Sequence, residues 1–210
     1  MSMERDLEFI YEIGTLRFLQ RTWTQLLRNR DMANLAEHSF RVAWTAMTIA
    51  KYEDADVGKV AKMALVHDIS ESRTGDAHYV SRLYVKRDEA RAIRDLLTDT
   101  VLGEELVALW NEYEERQTLE AKCVKDADWL DVDIELQEMY AKGEKIAEAH
   151  VWHDSREKGV YPKLHTETGK RLWKAFYESN PHDWHLHAPN RFNQGDWKNK
   201  EELSHTPSQL

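Results

Sequence analysis

Hydrophobic positions recur at three- and four-residue intervals along most of this chain. Residues 35–52 show this helical spacing, and residues 86–100 repeat it with Ile93, Leu96 and Leu97 on one face. No useful length of sequence alternates apolar and polar residues with the period of two that strands show. Glycine and proline are sparse, at 8 and 4 residues, which favours helices over a turn-rich β fold. The sequence therefore predicts an all-α protein, a compact helical bundle.

The same periodicity predicts where the helices begin and end. We expect one or two helices within residues 5–28, and further helices over 35–52, 57–70, 86–100, 104–116, 119–149 and 166–179. The inward positions expected in 57–70 are Val60, Met63, Ala64 and Leu65. The apolar pattern stops after Pro181. We therefore expect one domain over residues 1–180 and an irregular C-terminal tail over 181–210, packed on the domain or partly disordered.

Charge and composition narrow the range of partners. The 210 residues have a formal net charge of −9, which argues against broad binding to nucleic acid or to membranes. The N-terminal residues lack the apolar core of a signal peptide, and no run approaches the roughly 20 apolar residues that span a bilayer. Cys123 is the single cysteine, so no intramolecular disulfide can form. We expect a cytoplasmic protein with a small-molecule partner.

Metal-binding side chains occur on three of the predicted helices. His38 opens one helix, His67 and Asp68 end another, and Asp128 lies in the long helix 119–149. Adjacent residues diverge by about 100° on a helix, so His67 and Asp68 can bind one ion only past a helix end. Two imidazoles and two carboxylates suit Mn²⁺, Co²⁺, Fe²⁺, Zn²⁺ or Ni²⁺. We therefore expect these four residues to bind one divalent ion.

Other residues near these positions suit hydrolysis of a phosphate ester. Glu71 follows Asp68 by three residues and would face the same site on a continuing helix, where it could orient or deprotonate a water. The candidate phosphate-binding residues are Arg28, Arg30, Arg41 and Lys125. For any one arginine, a solvated surface charge is the simpler interpretation. The acidic residues of the long helix could likewise form one solvated face, but apolar residues, Trp129 among them, are interleaved with them.

The order of these motifs resembles the HD-domain metal-dependent phosphohydrolases, and within them the small 5'-deoxynucleotidase branch. The resemblance rests on Glu37-His38-Ser39, on Leu65-Val66-His67-Asp68-Ile69-Ser70-Glu71 with Thr74-Gly75-Asp76, and on Lys125-Asp126-Ala127-Asp128. It implies that His38, His67, Asp68 and Asp128 are the metal ligands, with Asp128 chosen over Asp126 because it lies three residues after Lys125. It also implies that Glu71 is the catalytic carboxylate and Asp76 a second active-site acid.

The resemblance further implies an HD-domain bundle that removes phosphate from (deoxy)nucleoside 5'-monophosphates through a metal-activated water. Co²⁺ or Mn²⁺ is the favoured ion, with Fe²⁺, Ni²⁺, Zn²⁺ or Mg²⁺ possible, and the protein is expected to be a cytoplasmic homodimer. Arg28 resembles a basic position that precedes the Glu-His-Ser motif in this family. The last thirty residues do not fit the usual end of the family.

Two alternatives stay open. The same site could act on another nucleotide, such as a triphosphate, a cyclic nucleotide or an alarmone. The chain could also be a non-catalytic module that senses nucleotides with a structural metal, although such a module needs neither Glu71 nor Asp76. The abundance of aromatic residues, Trp110, Tyr113 and Trp173 among them, favours a homodimer interface over a monomer with an aromatic-rich core.

Overall fold

The computed structural model describes residues 2–28, 31–144 and 149–186, and within them the chain is helical and has no β-strand. Its α-helices are α1 (Met3–Ile13), α2 (Trp23–Leu27), α3 (Leu35–Tyr52), α4 (Val57–Val66), α5 (Glu71–Thr74), α6 (Glu89–Leu97), α7 (Gly103–Glu115), α8 (Leu119–Ala141), α9 (Ala149–Gly159), α10 (Glu167–Glu178) and α11 (Asp183–Leu186). Short 3₁₀ helices cover Gly14–Phe18, Ser81–Leu83 and Tyr161–Lys163. The all-α prediction is confirmed. In the part of the chain described, no helix combines the length and apolar character needed to cross a bilayer.

The start of α3 is fixed by a capping box. The Asn34 side chain accepts a hydrogen bond from the Glu37 backbone N–H, and the Glu37 carboxylate accepts one from the Asn34 N–H, both at 3.0 Å. This reciprocal pair satisfies two backbone donors that a helix end leaves free. The helix therefore begins at Leu35, as predicted, and His38 lies one turn inside it. Side chains of Asp56 and Thr118 cap α4 and α8 in the simpler one-sided way.

The centre of the bundle is formed by α3, α4 and α8, which pack against one another and against α7 and α10. The fully buried side chains at this centre are Val42, Ala46, Ile49, Val60, Met63, Val124, Ala127 and Leu130. Burial of apolar area at roughly 25 cal/mol per Å² is the main force that holds such helices together. Because all the candidate metal donors lie on or beside these three helices, their relative positions are set by the core.

A buried ionic contact attaches the C-terminal helices to α8. The Asp133 carboxylate accepts two hydrogen bonds from Arg156 of α9, both at 2.7 Å, and one from the Tyr177 hydroxyl of α10 at 2.8 Å. A buried charge is tolerated only when it is paired and hydrogen-bonded, as Asp133 is here. This contact fixes α9 and α10 against the helix that carries Asp128.

Asp126 has a structural role at the start of α10. Its carboxylate accepts hydrogen bonds from the His165 and Thr166 backbone N–H groups at 2.8 Å and from the Thr166 hydroxyl at 2.7 Å. Gly169 packs so closely here that a Cβ on it would lie 2.5 Å from an Asp126 oxygen. Asp126 therefore faces α10.

Several predicted boundaries and orientations are wrong. The helix expected over 57–70 ends at Val66, and the chain turns before α5 begins. The helix expected over 119–149 ends at Ala141, and α9 was not predicted. Leu65 was expected to face inward but is 56% exposed, and the apolar side chains of Phe40 and Trp44 on α3 are also mostly exposed. Helical spacing shows which residues share a face, but an apolar residue at the edge of that face can still remain in solvent.

The three aromatic residues that suggested an interface lie in the core. Trp110, Tyr113 and Trp173 are 6%, 3% and 3% exposed and pack within the main hydrophobic cluster. For these three residues the alternative of an aromatic-rich core is the correct one. The boundary at residue 180 stays a prediction, because the greater part of the tail, residues 187–210, lies outside the described residues.

Candidate metal centre and active site

Four side chains from three helical regions meet at one point. The metal-ligating atoms of His38, His67, Asp68 and Asp128 all lie within 4.8 Å of one another. The His38 Nε2 is 3.4 Å from both Asp68 Oδ2 and Asp128 Oδ1, and the His67 Nε2 is 3.2 Å from Asp68 Oδ2. Donors bound to one transition-metal ion at about 2.0–2.2 Å are separated by roughly 3.0–3.5 Å. The spacing fits a single ion.

The outer nitrogen of each histidine is held by a hydrogen-bond acceptor. His38 Nδ1 lies 2.7 Å from an Asp131 carboxylate oxygen, and His67 Nδ1 lies 2.6 Å from the Ala64 backbone carbonyl. In a neutral imidazole, an acceptor at this position places the one proton on Nδ1, which leaves a lone pair on Nε2. Both Nε2 atoms are buried and have no hydrogen-bond partner. This arrangement is the one that metal-binding histidines show, and it is the strongest local sign that the residues fit a metal.

The charges of the cluster favour a cation. Burial raises the pKa of Asp68, but the imidazoles of His67 and His38 outweigh it and hold the pKa well below its usual range. For Asp128, burial also acts upward, while Lys125 and His38 lower the pKa well below its usual range. Burial and the Arg21 guanidinium lower the pKa of His38, but its carboxylate neighbours outweigh both and raise it well above its usual range. A proton on Nε2 and a metal ion would therefore compete for the same position. Two ionised carboxylates thus draw positive charge to this point.

The turn after α4 explains how adjacent residues can share one site. Because α4 ends at Val66, His67 and Asp68 lie in the turn that precedes α5, beyond the regular part of the helix. This is the position that the sequence predicted for the pair. The Glu71 side chain reaches the same cavity from the start of α5, although it does not lie on a continuing helix as expected.

Glu71 and Asp76 are held in different ways beside the cluster. The Arg87 guanidinium donates a hydrogen bond to Glu71 Oε1 at 2.9 Å, whereas Glu71 Oε2 is buried without a hydrogen-bond partner. Asp76 accepts a hydrogen bond from the Thr22 backbone N–H at 2.8 Å and so ties the chain before α2 to the site. The free oxygen of Glu71 is the one available to a water.

Burial and neighbouring negative charge change the acidity of Glu71. Burial, followed by the carboxylates of Asp68 and Asp76, raises the pKa of Glu71 to about 9, while Arg87 and Arg21 act in the opposite direction. A divalent cation bound by Asp68 would oppose the same negative charge and favour the ionised carboxylate. Glu71 therefore combines strong proton affinity with a position beside the donor cluster.

The cluster forms one wall of a cavity of about 270 Å³. Its lining residues are almost all charged or polar: Arg21, His67, Asp68, Ser70, Glu71, Asp76, Arg82, Arg87, Glu89, Tyr113, Glu114, Arg116, Lys125 and Asp128. Five of these side chains are cationic. Six others are acidic, Asp68, Asp128 and Glu71 among them. A bound divalent ion is therefore needed, together with these cations, to supply the positive field that an anionic substrate requires.

The predicted phosphate-binding residues have different positions. Lys125 lines the cavity and contacts Asp128 Oδ2 at 2.7 Å. Arg41 instead pairs with Asp131 and with Glu138 of α8, and so supports the carboxylate behind His38. Arg28 is exposed at the end of α2 and is not among the cavity-lining residues, and Arg30 lies outside the described residues.

Sequence reasoning did not identify Arg21, a largely buried arginine of the cavity wall. Its guanidinium is 3.4 Å from Asp68 Oδ2 and 3.8 Å from Asp76 Oδ2. Backbone pairing places it there: Arg21 donates to the Ala33 carbonyl, and Leu35 donates to the Leu19 carbonyl. This pairing across a loop produces no periodic signal. The available signal in the sequence was that Arg21 lies only a short distance before α3, the helix that carries His38.

Comparison with known proteins assigns the family. The model of the family described as HD domain matches residues 13–173, which is most of the chain and includes all four clustered donors. The chain belongs to the HD-domain family. The family resemblance inferred from the sequence is confirmed.

Relatives within the HD-domain family agree with this assignment. The chain is similar to the 5'-deoxynucleotidase HDDC2 of Danio rerio, at 30% identity over 81% of this chain and 91% of the relative. It is also similar to the Dictyostelium discoideum protein of the same name, at 33% identity over 65% of this chain and 78% of the relative. A solved structure titled as a predicted metal-dependent phosphohydrolase, from Magnetospirillum magnetotacticum MS-1, superimposes with a TM-score of 0.64 at 25% identity. It covers 84% of this chain and 91% of that one. The predicted enzyme class, a phosphohydrolase, is supported by these relatives.

Proposed function

We propose that this HD-domain protein is a metal-dependent phosphohydrolase that removes phosphate from (deoxy)nucleoside 5'-monophosphates. The observation that supports it most is the pair of buried, unpartnered histidine nitrogens facing two ionised carboxylates, beside a cavity whose lining includes five cations. Relatives named 5'-deoxynucleotidase support the substrate class. One site thus contains a donor set for a metal and side chains suited to a phosphate.

In this proposal His38, His67, Asp68 and Asp128 hold one divalent ion, with Co²⁺ or Mn²⁺ favoured. When bound, such an ion polarises a phosphoryl oxygen and lowers the pKa of a coordinated water. The Lys125 ammonium and the Tyr113 hydroxyl bind Asp128 Oδ2, at 2.7 and 3.3 Å, and so leave Oδ1 directed toward His38. Asp128 therefore has one oxygen for the ion and one for its supports.

The remaining chemistry belongs to side chains of this chain. Glu71 Oε2 orients a water and accepts its proton, while Arg87 holds Oε1 and prevents the carboxylate from rotating. The cavity's arginines and Lys125 neutralise the phosphoryl oxygens. Asp76 fixes the backbone at Thr22 and contacts Arg21, so it positions one of these cations.

The phosphate-release screen tests this function directly. The protein, loaded in turn with Co²⁺, Mn²⁺ and Mg²⁺, is given nucleoside 5'-monophosphates, nucleoside triphosphates and cyclic nucleotides, and free phosphate is measured. We expect the fastest release from the monophosphates, because relatives are named 5'-deoxynucleotidase. We expect no release after chelation of the metal, because the ion is needed to polarise the phosphoryl group. Faster turnover of a triphosphate or cyclic nucleotide would support action on another nucleotide. No turnover with the metal bound would support the non-catalytic module.

We also propose that the protein is a cytoplasmic homodimer. Exposed aromatic side chains on α3 support an interface: Phe40 and Trp44 are 64% and 60% exposed and lie edge to face, and aromatics are enriched at interfaces. The buried, free Cys123 is compatible with a reducing compartment, which cell fractionation would test. Light scattering at micromolar concentration should give twice the chain mass of 24.7 kDa. A mass equal to one chain would rule out the dimer.

A further inference from the structure

The cavity beside the metal donors, here called the central cavity, is smaller and more polar than pockets that enclose a whole small-molecule ligand usually are. Its volume is about 270 Å³, and the metal donors, Glu71 and five cations occupy its wall. Pockets that enclose complete small-molecule ligands usually measure about 300–1,000 Å³ and are mostly apolar. The cavity therefore suits the phosphate and part of the sugar, and the nucleobase must lie against another surface.

A second groove continues from this cavity. Residues 82–87 and Glu89 line a groove of about 420 Å³, which we call the annex groove. Arg82, Arg87 and Glu89 line both the annex groove and the central cavity. Two larger grooves of the molecule, of about 770 and 580 Å³, share no lining residue with the central cavity. The shared walls therefore give a ligand bound at the metal site a direct route into the annex groove.

The annex groove has three exposed apolar side chains among its polar and charged lining residues. Leu83, Tyr84 and Val85 are 77%, 83% and 55% exposed, so their side chains are available to a ligand. The backbone beneath them is ordered by hydrogen bonds, with the Tyr84 and Val85 N–H groups both donating to the Ser81 carbonyl, at 2.9 and 3.0 Å. The Arg82 guanidinium donates to the Ala77 carbonyl at 2.6 Å, which holds the turn closed. The aromatic ring of Tyr84 is thus presented on a fixed support.

We propose that the annex groove is the nucleobase subsite and that the base stacks on Tyr84. This inference rests on the proposed function and assigns the part of the substrate that the central cavity leaves out. The phosphate lies at the metal donors, the sugar passes Arg82 and Arg87, and the base contacts the apolar side chains beyond them. A stacking surface accepts any base, because every base has a π-face. The geometry therefore favours broad base tolerance, with purines binding better than pyrimidines because their face is larger.

The test compares two substrates that differ by the base. The values of kcat/KM are measured for a purine 2'-deoxynucleoside 5'-monophosphate and for 2-deoxyribose 5-phosphate, and the ratio of the two is the contribution of the base. We expect Tyr84→Ala to lower this ratio at least about fivefold, the lower end of the contribution of base stacking on an aromatic ring. Tyr84→Phe keeps the ring and should keep the ratio. Tyr79→Ala is the matched control, since Tyr79 is 69% exposed in the same segment but does not line the groove.

A second measurement uses a competing ligand that has no phosphate group. The free purine deoxynucleoside should inhibit hydrolysis of deoxyribose 5-phosphate competitively, and Tyr84→Ala should raise its inhibition constant by a similar factor. If Tyr84→Ala leaves the ratio unchanged, or if Tyr79→Ala lowers it equally, the subsite assignment is wrong while the proposed function stands. If wild-type protein releases no phosphate from the nucleotide, the proposed function fails and this inference fails with it.

Discussion

Replacement of Glu71 by glutamine should lower kcat by about 10²–10⁴-fold while leaving metal content and fold unchanged. The expected factor is that of general acid–base assistance. The amide oxygen of glutamine can still accept the hydrogen bond from Arg87 that Glu71 Oε1 accepts at 2.9 Å, so the side chain should stay in place. The amide cannot take a proton from water at Oε2, which is the atom left buried without a partner. Steady-state kinetics and metal analysis on the same samples check both halves of the prediction.

The control variant for Glu71→Gln changes another acidic residue that pairs with Arg87. Arg87 also pairs with Glu89, at 2.5 Å, so Glu89→Gln removes one anionic partner of Arg87 without touching the candidate base. We expect Glu89→Gln to lower kcat far less than Glu71→Gln. Equal losses in the two variants would show that the charge balance of Arg87 matters and that Glu71 is not the base. Loss of the metal from Glu71→Gln would instead make Glu71 a ligand or the support of one.

The fold and the convergence of His38, His67, Asp68 and Asp128 could be predicted because their signals are local. The apolar spacing of α3 and the capping pair of Asn34 and Glu37 are contained in short stretches of sequence, and they fix His38 one turn inside the helix. Such signals depend on a few adjacent residues, so a single sequence is enough to find them. The end of α4 at Val66 was not predicted, because the apolar spacing continues to Ile69.

The surroundings of the donors could not be predicted in the same way, because they depend on contacts between distant residues. Asp131 supports His38 across 93 positions, and Asp126 binds Thr166 across 40. In the sequence these two residues and Asp128 are similar acids on one helix. Only the packing of α3 and α10 against different faces of α8 gives each a different partner. Arg87 is a further example, since its contact with Glu71 depends on the path of the chain from Gly75 to α6.

Replacement of Asp68 by alanine should abolish tight metal binding and, with it, phosphate release. The Asp68 Oδ2 atom is the point on which both histidines converge, at 3.4 and 3.2 Å, so its loss opens the centre of the donor set. A ligand at 100 times its Kd stabilises the folded state by about 2.7 kcal/mol. Addition of Co²⁺ or Mn²⁺ at that excess should therefore raise the Tm of the wild-type protein and leave that of Asp68→Ala unchanged.

A graded series on α8 should separate direct donors from their supports. Asp128→Asn should lose tight binding as Asp68→Ala does. Asp131→Asn keeps all four donors but weakens the acceptor that orients His38 at 2.7 Å, and loss of such a partner typically lowers metal affinity by about 10–100-fold. Asp126→Asn is the matched control: it should lower the Tm, because it weakens the attachment of α10, yet retain the metal-dependent rise. The donor assignment is contradicted if Asp126→Asn loses the metal and Asp128→Asn keeps it. The metal would then be bound on the face of α8 that carries Asp126.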